Sequence, residues 1–398
     1  MRRAMPYALG LIFAMVPLFP SFIAFADVQF PGVSLVPRSA TLAVLGLCVL
    51  LAVYATVMLA RYPRVGSQPL FVPLMSVFAA GVLAGAVGFN PAAGLVFTGI
   101  GGLSIVWHCS VMRFYGDRNA ARAIYIAILL SGAVASLLAI VMVVARVPAS
   151  QYAIQHGRAT GAFILPGELA GYLVVLLPIA YACARVAEQA GLRLAAWVAF
   201  GAGAVALALT FSRAGWMGLA AAAAFLIAVR TRRAGAAAIA VLAGVLAVLL
   251  LFNAHHDPSE DYTRLSIWRT AVQIVDRFTL TGVGPFNFSR LYATLRAPDG
   301  DPTAFHAHNL YLTFFAEFGI VGLLTVAWTM WRFTAELRRR LRACSSRDGF
   351  LALSVTAGLL GVAVQGLVDT VSLVIFGLWM PIMALALASA QPGDPELA

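Results

Sequence analysis

Runs of about 20 apolar residues, the length that crosses the hydrocarbon core of a bilayer as a helix, recur from end to end of this 398-residue chain. Twelve can be marked, at 5–25, 41–60, 70–89, 91–109, 123–145, 165–184, 193–210, 214–229, 236–253, 309–331, 350–368 and 371–389. No other feature narrows the fold as much, because a backbone inside lipid must satisfy its own polar groups, and runs this long do so as helices. The expected fold is all-α, a polytopic membrane protein of about 12 transmembrane helices forming one integral membrane domain over 1–398. Composition agrees: 62% of residues are hydrophobic and 11% charged, where a soluble chain would carry about a quarter charged. The mean hydropathy is +0.90.

A net charge of +11 would suit a nucleic-acid partner, but all 27 basic residues are arginine and most stand in short connections between apolar runs. That is the pattern of topology signalling by the positive-inside rule, so membrane lipids and not nucleic acid are the expected surroundings. With the N-terminus inside, 18 arginines fall in cytoplasmic segments and nine outside. Both termini are then cytoplasmic, and a large loop over 252–308 faces outward. Arg2 and Arg3, an apolar run, then Ala24-Phe25-Ala26 before Asp27 also resemble a secretory signal, although an uncleaved first helix is expected in a many-spanning chain. Cys48, Cys109, Cys183 and Cys344 are scattered without metal-type spacing, so neither a disulfide framework nor a metal site is expected.

The nine outer arginines (Arg38, Arg146, Arg158, Arg213, Arg264, Arg269, Arg277, Arg290 and Arg296) run against the charge rule and need another reason. Arg213 is the sharpest case, lying in a turn a few residues long between two apolar runs, where it must snorkel, pair or face a wet cavity. Anion binding and interfacial anchoring are both open readings. Within the big loop, Asp261 to Arg277 fits an amphipathic helix with Leu265, Trp268, Val272 and Val275 as its apolar stripe. Such a helix would lie on the outer leaflet, with Arg264 and Arg269 flanking the stripe at the waterline and Arg277 pointing away; a plain interfacial helix whose arginines meet lipid phosphates is the equal alternative. Thr281-Gly282-Val283-Gly284-Pro285 marks a turn or close approach and lacks the ending of a P-loop.

His306, Ala307, His308 and Asn309 lead into the tenth run, and Glu317 lies inside it, nine residues beyond His308. An intramembrane carboxylate is a functional candidate by default, with arginine pairing as its plain alternative. The H-x-H pair lacks a third metal ligand at a convincing spacing, whereas a histidine at a wet helix start can act as a general base. Arg158 and Glu168 enter the sixth run and Asp369 stands in the turn between the last two, each equally readable as a snorkelling or capping residue.

In order, R-A-T-G-x-F…P-x-E-L-A, T-F-S-R-A-G-W, R-x-x-x-W-R…TGVGPFNF and H-N-L-Y-L-x-x-x-A-E-x-G-I-x-G resemble the O-antigen ligase/polymerase family over about residues 155–325. The resemblance implies a GT-C-like membrane glycosyltransferase with its active site at the periplasmic face of the bacterial inner membrane. The donor would be a glycan on undecaprenyl diphosphate, the acceptor lipid A–core or a growing glycan, with no cofactor and no required metal. Carried over onto this chain, the catalytic histidine falls on His308. The diphosphate-binding arginines match Arg213 and either Arg264 or Arg269, with Arg158 in the earlier motif; Asn309, Glu317 and, more loosely, Asp369 have supporting places. A ligase is expected first and a repeat-unit polymerase second. Members that glycosylate proteins usually carry a further C-terminal region, whereas this chain stops eight residues after Ala390. A small-anion transporter remains a rival from another class, although its charges should lie near the midplane and be reachable from both sides.

Overall fold

The computed structural model describes residues 53–62 (other than 55 and 59), 68–370 (other than 164, 232, 253–257, 299 and 303) and 375–390. The first expected span, most of the second, the Ala24-Phe25-Ala26 segment, Arg38 and Cys48 lie outside the described residues. Among the described residues there are helices and no strand. In chain order the helices are α1 (Phe71–Val87), α2 (Pro91–Phe114), α3 (Arg118–Ala145), α4 (Ala149–Ile154), α5 (Pro166–Val186), α6 (Ala190–Leu209) and α7 (Arg213–Thr231), then α8 (Ala234–Phe252), α9 (Pro258–Arg277), α10 (Phe288–Leu295), α11 (Leu310–Ala343), α12 (Ser346–Gln365) and α13 (Ile375–Ser389). Seven of them, α2, α3, α5, α6, α7, α11 and α12, are long and apolar enough to cross a membrane, and α1 and part of α8 are shorter apolar helices.

Helix starts follow local chemistry. Asn90 caps α2 by accepting from Ala93 N at 3.1 Å, with Pro91 in the first turn, where its missing N–H is no loss. Asp117 caps α3, accepting from Asn119 N at 2.8 Å, and Ser345 caps α12, accepting from Asp348 N at 3.2 Å. α5 opens on Pro166, and the Glu168 carboxylate reaches back to Leu165 N at 3.4 Å.

The outward faces are those of a membrane protein. On α3, Leu130, Val134, Leu137, Leu138 and Val141 are 42–53% exposed, while Ser131, Ala135, Ser136 and Ala139 are buried. Large apolar side chains outside and small or weakly polar ones inside are what lipid permits, because helix packing there depends on close approach. α5 is the central element, buried along nearly its whole length and packed against α3, α6, α7, α12 and α13. α11 extends well beyond its apolar run. Its arginine-rich tail, expected only as a topology signal, holds Arg340 fully buried, donating to Tyr115 Oη at 3.1 Å and to the carbonyl of Leu387.

One break matters for the site. α11 is interrupted at Gly319 (φ 63°, ψ −168°), where the helical bonds from Ile320 to Ala316 and from Val321 to Glu317 are missing. The loop after α9 replaces all four groups. Val283 N donates to Ala316 O at 2.9 Å and Gly284 N to Glu317 O at 3.0 Å, while Ile320 N donates to Thr279 O at 2.8 Å and Val321 N to Leu280 O at 3.3 Å. The approach is too close for a side chain: a Cβ on Gly319 would meet Leu280 O at 2.4 Å, and one on Gly282 would meet the Glu317 carbonyl carbon at 2.3 Å. The TGVGP turn is thus a backbone splice into a membrane-length helix.

Candidate active site

The first turn of α11 and the turn after α12 are stitched together side by side. Asn309 caps α11, its Oδ1 accepting from Leu312 N at 2.9 Å, and its Nδ2 donates to Leu367 O at 2.8 Å. Leu310 N donates to Gly366 O at 2.8 Å, and Thr313 Oγ1 lies 3.3 Å from Thr370 Oγ1. His308 and Asp369, 61 positions apart in sequence, are thereby neighbours.

His308 Nδ1 stands 3.5 Å from Asp369 Oδ1, with side chains 23% and 13% exposed. At that separation the geometry falls short of a hydrogen bond, so the pair is a close contact that becomes an ion pair when the imidazole takes up a proton. Asp369 Oδ1 also accepts from Thr370 N at 2.8 Å. The other oxygen lies against the start of α5, where a Cβ on Gly167 would meet Oδ2 at 2.2 Å. Gln365 closes the corner, donating from Nε2 to Gly167 O at 2.8 Å. Burial would raise the Asp369 carboxyl, but the contact with His308 and the positive charge of Arg264 are among the influences that outweigh it and hold the group below its ordinary value. Asp369 is therefore a carboxylate at neutral pH.

His306, the histidine without a place in the family motif, is the more deeply buried of the two, at 4% exposed. Its ring packs edge-on against that of His308 with centroids 4.4 Å apart. Its Nδ1 accepts from His308 N at 3.1 Å. Burial first, and then the neighbouring His308, push the His306 imidazole well below its usual value, against the pull of Asp369. It is neutral, with its proton on Nε2.

α9 brings the arginines. Its buried face is Ile267, Ala271, Ile274 and Val275, whereas Leu265 and Val272 are each 48% exposed. Of the stripe expected from the sequence, Val275 and, in part, Trp268 lie on the side packed on α10 and α11, while Leu265 and Val272 lie on the outer side of the helix. The same division separates the two candidate arginines. Arg264 is half-buried and its charge acts on both His306 and Asp369, while Arg269 and Arg277 are exposed.

Arg213 is the first residue of α7, and its Nη2 pairs with Asp261 Oδ1 at 3.3 Å, one turn before Arg264 on α9. The pair is partly solvated, 32% and 52% exposed, and such pairs contribute little to stability. Arg158 Nε donates to Thr210 O at 3.0 Å, three residues before Arg213. The arc from Arg158 through Arg213 to Arg264 therefore belongs to the same end of the bundle as His308 and Asp369.

Glu317 is elsewhere, about 10 Å along the helix axis from Leu310, the first residue of α11. It is 4% exposed, and its Oε1 accepts from Phe288 N, the first residue of α10, at 3.4 Å. A carboxylate at a helix N-terminus meets unpaired N–H groups and the positive end of the dipole, so its position has a structural account. It also borders a largely apolar cavity of about 70 Å³ lined by Phe78, Phe97, Phe286, Phe314 and Phe318. Among the described residues, no cluster of His, Cys, Asp and Glu is suited to hold a metal ion.

Residues 194–327 match the family model described as O-antigen ligase. The chain carries an O-antigen ligase family domain. This domain runs from α6 into α11 and contains Arg213, Arg264, Arg269, His308, Asn309 and Glu317, while Arg158 and Asp369 lie outside it. No curated protein matches the chain. The domain and the apolar helices together describe a multi-pass membrane protein with a ligase- or polymerase-type role. Sequence reasoning gave no signal for Thr313, Thr370, Gly167 or Gln365, because each matters only through a partner distant in the chain or across the fold.

Proposed function

We infer that this protein is a ligase-type glycosyltransferase, moving a glycan from undecaprenyl diphosphate to a sugar hydroxyl of lipid A–core at the periplasmic face of the inner membrane. The observation that carries the reading is the His308–Asp369 pair, with Arg264 on a separate element near enough for its charge to act on Asp369.

In this mechanism Nδ1 of His308 faces Asp369, so Nε2 is the nitrogen that receives a proton. The acceptor hydroxyl gives its proton to Nε2 as its oxygen attacks the anomeric carbon. A new C–O bond forms, the bond from the anomeric carbon to the phosphate oxygen breaks, and configuration inverts. The diphosphate leaves with the bonding electrons. Arg213, Arg264 and Arg158 hold the departing charge with guanidinium groups suited to bidentate phosphate contact. Asp369 stabilises the imidazolium. Arg269, on the exposed face of α9, takes a secondary place at the edge of the donor. Asn309 and Glu317 support the site through the backbone, Asn309 at the histidine and Glu317 at the spliced loop.

The test is deletion of the gene in its own bacterium, followed by gel analysis of lipopolysaccharide. A ligase leaves a bare lipid A–core band, with full-length glycan accumulating on undecaprenyl diphosphate. Core bearing one repeat unit would identify a polymerase, and an unchanged profile would sink both readings for this glycan.

A further inference from the structure

Ala307 is fully buried, yet neither its backbone N–H nor its carbonyl, which lie in the two peptide units flanking its Cα, is paired within secondary structure. Its N–H donates to Thr313 Oγ1 at 3.1 Å, and its carbonyl accepts from the indole N–H of Trp268 at 2.7 Å. A buried backbone group needs a partner, and here both partners are side chains from two different helices, α11 and α9. The next residue is His308, whose φ of 48° lies in the left-handed region. That region is uncommon for a residue with a Cβ, and the contacts around His308 favour it here. His306 supplies the third hold, its neutral Nδ1 taking the His308 N–H.

We propose that Trp268 and Thr313 are positioning residues, holding the two peptide units on either side of the Ala307 Cα so that His308 is kept in its left-handed conformation facing Asp369. The clamp serves both members of the pair. The Thr313 hydroxyl that receives the Ala307 N–H also meets Thr370 Oγ1, next to Asp369. Trp268 lies one helical turn beyond Arg264 on the same side of α9, so the same rigid helix sets the arginine and the histidine relative to one another. Without the clamp the backbone at His308 relaxes to a common conformation and its ring swings off the carboxylate. This inference rests on the reading of His308 as the base.

The experiment uses the full chain in lipid nanodiscs, with undecaprenyl-diphosphate-linked glycan as donor and lipid A–core as acceptor. It measures kcat and donor KM per folded protein across pH for Thr313→Val, Thr313→Ser and Trp268→Phe, with His308→Ala as reference. Thr313→Val and Trp268→Phe should lower kcat roughly 10- to 100-fold with donor KM within about twofold, the signature of a displaced catalytic group. Thr313→Ser, which keeps the hydroxyl, should recover most of the rate. Wild-type kcat in folded Thr313→Val, or equal losses in the Ser and Val variants, would overturn the clamp while an inactive His308→Ala left the base reading standing. Transfer by His308→Ala at the wild-type rate would remove the base reading and the clamp with it. If Thr313→Val does not fold, Trp268→Phe decides by the same criterion.

Discussion

Asn309 joins two turns that the chain separates by 58 positions: its Nδ2 donates to Leu367 O at 2.8 Å while its Oδ1 caps its own helix. One amide side chain therefore fixes both where α11 begins and where the turn carrying Asp369 lies. Asn309→Ala removes both bonds. The loss of the cap alone should lower stability by about 1 kcal/mol, and transfer should fall further because the His308–Asp369 contact loosens. Asn309→Asp keeps the cap and loses only the tether, so thermal unfolding and transfer rate measured on both variants separate the two contributions.

Asp369 gives a pH dependence with a definite sign. Its folded-state value lies below that of the unfolded chain, so it contributes stability above the ordinary carboxylate range. That contribution is lost as pH falls through the folded-state value. Asp369→Asn should flatten the acid limb of a melting-temperature profile as pH falls through and below the ordinary carboxylate range, and lower kcat roughly 100-fold or more at neutral pH. An unchanged acid limb in the variant would show that the charge contact contributes no stability.

Gly167 is a steric test of the same corner. A methyl group there would meet Asp369 Oδ2 at 2.2 Å, so Gly167→Ala must push the carboxylate aside or shift the start of α5. Overpacking of this kind costs about 1–3 kcal/mol. The expected outcome is a folded protein with a modest fall in melting temperature and a large loss of transfer.

The two arginines of α9 should behave differently. Arg264→Gln removes the charge that acts on His306 and Asp369 and should lower kcat/KM for the donor roughly 100-fold or more. Arg269→Gln, on the exposed face, should stay within about threefold. Donor titrations of the two variants at one ionic strength are the check.

Glu317 should prove a matter of folding more than of chemistry. Glu317→Gln keeps an oxygen for Phe288 N and should retain most transfer activity, whereas Glu317→Leu leaves that N–H unpaired at a cost of about 1–3 kcal/mol. Comparable loss of kcat in a well-folded Gln variant would instead give the carboxylate a direct role.

Much of the helical framework was legible because lipid imposes one rule on every spanning segment. The runs at 70–89, 165–184 and 309–331 mark α1, α5 and the start of α11 within a few residues. The α9 helix was legible but not which side meets protein. Leu265 and Val272 and the pair Ile267 and Ile274 form two apolar arcs on one helix, and hydrophobicity alone does not distinguish a face against protein from one turned outward. The site was legible in part. His308 and Arg213 stand in distinctive local motifs, but Asp369 has little motif around it, and its meaning lies in a contact spanning 61 positions. Thr313 reads as an ordinary helix residue until its partners at Ala307 and Thr370 are seen.

The break at Gly319 has a mechanical side. An uninterrupted helix of 34 residues would act as one stiff shaft, so that any tilt at its arginine-rich end would reach His308 undiminished. Here the shaft is cut about a third of the way along. Its long segment is moored by Arg340 at the far end of the bundle, and the loop that follows α9 is bonded to both segments across the cut. The histidine end of α11 therefore takes its bearing from the loop that continues the arginine-bearing helix, not from an unbroken shaft.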